Sequence, residues 1–154
     1  MIKKQLTKEQ ALQKLKHYCD YQERCHKEVK EKLYRLGIWK KEHDEIIATL
    51  IEVNYLNEER FAIGFAGGKF RIKKWGRIKI KYALKQKQVS GYCIKKALGE
   101  IDEKDYRRTL EKLAEEKYSS QKNEQMHIRK KKTIDYLITK GYEAALVREL
   151  VEMK

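Results

Sequence analysis

Arg77-Ile78-Lys79-Ile80-Lys81-Tyr82 is the stretch on which the fold turns. Polar and apolar residues alternate through it with period two, the pattern of a half-buried strand. Taken as a helix, it puts Ile80 and Leu84 on one face. Arg77, Lys81 and Lys85 then share another at i, i+4 spacing, about 6 Å from one to the next. By itself the stretch leaves strand and helix in contest, and its surroundings decide for helix. Gly76 precedes it, Ala83-Leu84 continue it, and Leu84-Lys85-Gln86-Lys87-Gln88-Val89 follows the pattern of a helix end, a turn residue and an apolar restart. Leu33-Tyr34-Arg35-Leu36-Gly37-Ile38 and Leu137-Ile138-Thr139-Lys140-Gly141-Tyr142 repeat that pattern with glycine at the turn. The turn positions 37, 88 and 141 are 51 and 53 residues apart.

A repeat of that period implies small helical units stacked in tandem. The expected fold is all-α: three tandem three-helix units in an elongated, curved array, over residues 6–54, 57–101 and 102–153. Helix starts mark the edges. Thr7 with Gln10 forms a capping box before Ala11, Leu12, Leu15 and Tyr18. Asn57 with Glu58 and Glu59, and Asp102 with Glu103 and Asp105, put a cap and acids where a helix dipole favours them. Tyr106, Leu110, Leu113 and Ala114, then Ile134, Leu137 and Ile138, make apolar stripes in the third unit. Among the 154 residues there is no proline, and 39% are charged against 41% hydrophobic. With a mean hydropathy of −0.85, the chain suits a thin stack in which each helix buries one stripe.

The net charge of +14 is concentrated. Residues 1–59 carry 12 Lys/Arg against 11 Asp/Glu, and residues 100–154 carry 13 against 12. Residues 60–99 carry 12 Lys/Arg and no acid, so the three blocks stand at +1, +12 and +1. An acid-free block points to a surface for a polyanion, where phosphate contacts give affinity without reading sequence. Its candidate contacts are Lys69, Arg71, Lys73, Lys74, Arg77, Lys81 and Lys85, with Lys95 and Lys96 beyond them. The competing account is a merely solvated face. Trp75 is either a base-stacking platform or, the favoured account, a core anchor, as are Phe61, Phe65 and Tyr55. Gly76 is expected to serve the adjacent turn.

Other chemistries find little support. There is no GxxxxGK[ST] or GxGxxG, and Gly64, Gly67 and Gly68 sit in a helical stretch, where close helix approach or a flexible joint would explain them. No nucleophile–base arrangement stands out, so no catalysis is expected. His17, Cys19, Cys25 and His26 lack zinc-ligand spacing, and no metal or cofactor is implied. Cys19, Cys25 and Cys93 are an odd set, read as small apolar fillers rather than a disulfide framework. No apolar run approaches the ~18 residues of a membrane span. Met1-Ile2-Lys3-Lys4-Gln5 leads into charged helix rather than an apolar leader core, so a cytoplasmic protein, acting as a monomer away from membranes, is expected.

One pair of segments is more specific. Tyr55-Leu56-Asn57-Glu58-Glu59-Arg60-Phe61-Ala62, followed a helix later by Trp75-Gly76-Arg77-Ile78-Lys79, resembles the signature of the RecX regulatory proteins. Those carry Tyr-Leu-Asp-Asp-x-Arg-Phe-Ala, then Trp-Gly and a basic helix. Asn57 and Glu58 replace the usual acid pair, and Gly67-Gly68 stands where the family has larger residues, which puts the straightness of that helix in question. The resemblance implies a non-enzymatic modulator of the RecA recombinase. Such a protein binds the RecA–DNA filament, single- or double-stranded DNA included, and restrains recombinase, ATPase and coprotease activities. The residue chemistry alone reaches a basic helical polyanion binder, with a stand-alone nucleic-acid-binding module as the alternative. Near-neutral outer units suit protein surfaces and favour the filament.

Overall fold

The structure, a computed structural model, describes residues 6–154 of the chain. The N-terminal reading of residues 1–5 lies outside them. Helices α1 (Lys8–Tyr21), α2 (His26–Arg35) and α3 (Lys40–Glu52) pack on one another as a first group. A second is formed by α4 (Glu58–Lys73), α5 (Arg77–Gln86) and α6 (Gly91–Gly99), and a third by α7 (Glu103–Ser119), α8 (Met126–Thr139) and α9 (Ala144–Glu152). No strand occurs among the described residues. The contested stretch is the first two turns of α5, with Ile80 and Leu84 fully buried.

Local chemistry starts these helices as the sequence implies. The Thr7 hydroxyl accepts from the Gln10 amide at 3.1 Å, and the Gln10 side chain returns the bond to Thr7 at 2.9 Å. Asn57 and Asp102 accept from the Arg60 and Asp105 amides at 2.9 and 3.0 Å. Ser90 caps α6 in the same way. All three repeat turns adopt a left-handed residue, Gly37 at φ +73°, Gln88 at +60° and Gly141 at +103°.

The helical stripes bury Ala11, Leu15, Tyr106, Leu110, Ala114 and Leu137, but Ile138 faces outward. Helix α4 runs unbroken through Gly64, Gly67 and Gly68. A Cβ at Gly64 or Gly68 would meet open space, and the atoms nearest one at Gly67 belong to the Arg71 side chain of its own helix. The expectation of close helix approach there is therefore not met.

The close approach is instead at Gly76. A Cβ there would collide with the Gly141 carbonyl and the Tyr142 amide nitrogen. The two backbones cross in contact, Gly76 N–H donating to Lys140 O and Ile78 N–H to Gly141 O, both at 2.9 Å. Gly76 thus does more than serve its turn: it joins the second group to the third.

Two apolar cores result, not three. One fills the first group, from Ala11 and Leu15 to Leu50 and Leu56. The other runs continuously through the second and third, from Phe61 to Val151. The first group meets the second through polar contacts, with Arg60 bonded to Glu23 at 2.6 Å and Lys87 paired with Glu28 at 3.7 Å. Lys27 also donates to Gln86 O, and Cys25 is the buried residue the first group lends to the larger core. The accessible surface is 10350 Å², against about 8200 Å² for a compact monomer of 18.5 kDa. The array is accordingly open and elongated.

Candidate functional site

Apart from Arg60 and Lys87, which pair with Glu23 and Glu28 of the first group, and Arg71, the cations of residues 60–99 fall into three environments. The first surrounds Trp75, which follows the left-handed Lys74 at the end of α4. The ring is partly buried against the large core, and its open side carries Lys69 Nζ at 5.0 Å and Lys79 Nζ at 4.6 Å from the centroid. Trp75 is therefore an anchor with a cation-dressed outer face. The α8–α9 turn closes on the same corner. Lys140 Nζ donates to Lys73 O at 2.9 Å, and the Tyr142 hydroxyl to Lys74 O at 2.8 Å. Burial, then the charges of Lys79, Lys73 and Lys74, push the Lys140 ammonium below the usual lysine range. Five cations from two groups of helices converge here, and Ile72 and Ile78, next to Lys73 and Lys79 in the chain, are exposed.

The second environment is a groove of about 460 Å³ between α5 and α6, where Lys81, Lys85 and Lys95 stand around Ile94 and Leu98. Lys96 is exposed on the last turn of α6. Arg71 folds back over Gly67 and faces a hollow bordered by Asp102 and Asp105 of the third group, away from the all-cation surface.

The third environment removes Arg77 from the surface row. Its guanidinium lies 3.7 Å from the centroid of Tyr106, donates to Glu143 at 2.8 Å and also pairs with Glu103. Burial opposes its charge, but the two carboxylates outweigh burial and raise the arginine above its ordinary value. The Tyr106 hydroxyl accepts from the Arg77 amide at 3.0 Å and donates to Glu143. Burial first, then that bond, push the phenol upward. The anticipated row of Arg77, Lys81 and Lys85 is thus corrected: Arg77 clamps the second group to the third, and Lys81 and Lys85 alone stay exposed. Sequence reasoning missed Lys79 and Lys140. Lys79 was overlooked between two isoleucines, and Lys140 belongs to a near-neutral block whose charge arithmetic hides it.

The remaining signature residues hold the fold. Leu56, Phe61 and Ala62 are buried, Tyr55 packs on the first core, and Arg60 ties Glu23 to Asn54. Two family descriptions match these groups of helices: "RecX, second three-helix domain" over residues 57–98 and "RecX, third three-helix domain" over residues 104–151. The chain belongs to the RecX family.

Regulatory protein RecX of Clostridium perfringens strain 13 is 37% identical over 119 residues, covering 76% of this chain and 55% of that one. The chain thus spans about half the length of this relative. RecX of Prosthecochloris aestuarii is 28% identical over 142 residues, covering 92% and 91%. The crystal structure of RecX from Lactobacillus salivarius shares the fold at a TM-score of 0.87 and 23% identity, over 95% of each chain. Among the described residues of this RecX-family chain, no helix is long and apolar enough to cross a membrane.

Proposed function

We propose that this chain regulates a RecA recombinase without catalysis of its own, by docking its basic face on the RecA–DNA filament and restraining the filament's activities in the cytoplasm. The observation that carries this is the convergence of Lys69, Lys73, Lys74, Lys79 and Lys140 around Trp75. Like charges held together repel one another, and a polyanion relieves that repulsion. The second observation is the exposure of Ile72 and Ile78 next to Lys73 and Lys79 in the chain, since apolar contacts suit a protein surface on the nucleic acid. Lys81, Lys85 and Lys95 extend the face along the α5–α6 groove, with Lys96 at its edge.

Pull-down of the purified chain with RecA, with and without single-stranded DNA, tests the proposal. Capture should require the filament and should fail for a Lys73→Glu, Lys79→Glu double variant of unchanged helicity. Capture that persists undiminished in that variant would refute the assignment of the face. Binding to free DNA with no effect on RecA filaments would instead favour the stand-alone nucleic-acid module.

A further inference from the structure

The first group of helices carries a cleft of about 640 Å³, within the range of small-ligand sites. We propose that it is a nucleotide subsite, holding one phosphate and one base of a single-stranded nucleic acid, distinct from the basic face of the second group.

Arg24 makes the site. It is only 9% exposed, and its Nε donates to the Tyr18 carbonyl at 3.0 Å, near the C-terminus of α1. Its guanidinium stacks on the Tyr18 ring at 3.6 Å from the centroid. These contacts fix the plane of the fork and engage Nε alone. Among the described residues the two Nη groups meet no hydrogen-bond acceptor, and Arg24 lines the cleft. A buried arginine so oriented is a bidentate receptor for a phosphate or carboxylate. Lys14, His17 and Lys32 line the same cleft, and among the described residues no acidic side chain does. Lys32 Nζ sits 5.4 Å from the Tyr18 ring, on the same aromatic floor.

Tyr21 selects the nucleotide over a bare anion. Its ring is 81% exposed and lies 5.9 Å from the Arg24 guanidinium. An exposed ring beside an anion receptor is the pairing that single-strand binders use, phosphate on the cation and base on the ring. An acidic peptide would use Arg24 but would leave Tyr21 idle.

Titration of the full chain with 5′-phosphorylated tetrathymidylate, followed by residue-resolved NMR, tests this. The expected result is saturable perturbation of Tyr21, Arg24 and Lys32. Tyr21→Ala should raise the Kd at these residues about tenfold, the loss of one stacked base, whereas Tyr21→Phe should not. Tyr21 is exposed, so these variants keep the test valid if Arg24→Gln fails to fold. The same perturbations should survive in the Lys73→Glu, Lys79→Glu variant, which separates this cleft from the face proposed above. Perturbation confined to residues 60–99 would overturn the subsite while leaving the basic face intact. Inorganic phosphate acting as strongly as the oligonucleotide, with Tyr21→Ala silent, would reduce the cleft to an anion site and overturn it. Tighter occupancy by a polyglutamate peptide would overturn it in favour of an acidic protein segment.

Discussion

Gly76→Ala is the single-atom test of how the second and third groups are joined. The added methyl meets backbone, the Gly141 carbonyl and the Tyr142 nitrogen, which no rotamer change can clear. Relief requires the α4–α5 corner to part from the α8–α9 turn. That parting breaks Gly76 N–H to Lys140 O and Ile78 N–H to Gly141 O, each 2.9 Å, and strains Tyr142 OH to Lys74 O at 2.8 Å. At about 1 kcal/mol net for each broken hydrogen bond, the loss comes to roughly 2 kcal/mol, before the strain on the Tyr142 hydroxyl bond and any loosening of its buried ring. Gly64→Ala and Gly68→Ala are the controls. They sit in α4 with open space where the methyl would go, and each should stabilise by about 0.5–1 kcal/mol through helix propensity. Urea unfolding of the three variants, followed by circular dichroism, gives the comparison. A Gly76→Ala protein within about 0.5 kcal/mol of wild type, the ordinary spread of surface substitutions, would refute the crossing as the joint.

Other outcomes follow from the same contacts. Arg77→Met should destabilise by about 2 kcal/mol in urea titration, because it removes the cation paired with the half-buried Glu143 carboxylate and stacked on the Tyr106 ring, while Lys81→Met and Lys85→Met stay within about 0.5 kcal/mol. Burial pushes the Cys19 and Cys25 thiols up to about 11 from 9.0. Their contribution to stability is complete below pH 9 and falls as pH rises through 11, because the unfolded chain releases thiol protons that the folded chain retains. Urea midpoints across that window should show the decline, and serine at both positions should make it shallower, the buried Tyr106 and Tyr142 phenols keeping a residual decline of the same sign. Lys140→Gln should lower the salt slope of nucleic-acid binding by about 0.7–0.9 if Lys140 meets a phosphate. A slope unchanged in fluorescence anisotropy would exclude that contact.

The helices were legible because each repeat turn needs one residue in the left-handed region, and that need leaves a mark at a fixed period. At position 88 the mark is faint, since glutamine fills it, yet Leu84 and Val89 on either side keep the pattern. The cation block was equally visible, but its division was not. Arg77 shares its i, i+4 spacing with Lys81 and Lys85, whereas its carboxylates come from Glu103 and Glu143, 26 and 66 residues away. Nothing local distinguishes a surface arginine from one matched at that distance. Gly76 read as a turn residue for the same reason: the backbone it makes room for is in another repeat. The cleft at Arg24 escaped notice because the first block is nearly neutral, its cations and acids segregated only on folding.

The two cores give the molecule two kinds of hinge. Between the second and third groups the seam is dry, sealed by continuous apolar packing, and bending it would open a void in the core. Between the first and second, beyond the buried Cys25, it is made of Arg60–Glu23, Lys87–Glu28 and Lys27 on the Gln86 carbonyl, contacts that water and salt can replace one at a time. Ionic strength therefore acts more on this seam than on the other, where the Arg77 ion pairs lie against continuous apolar packing.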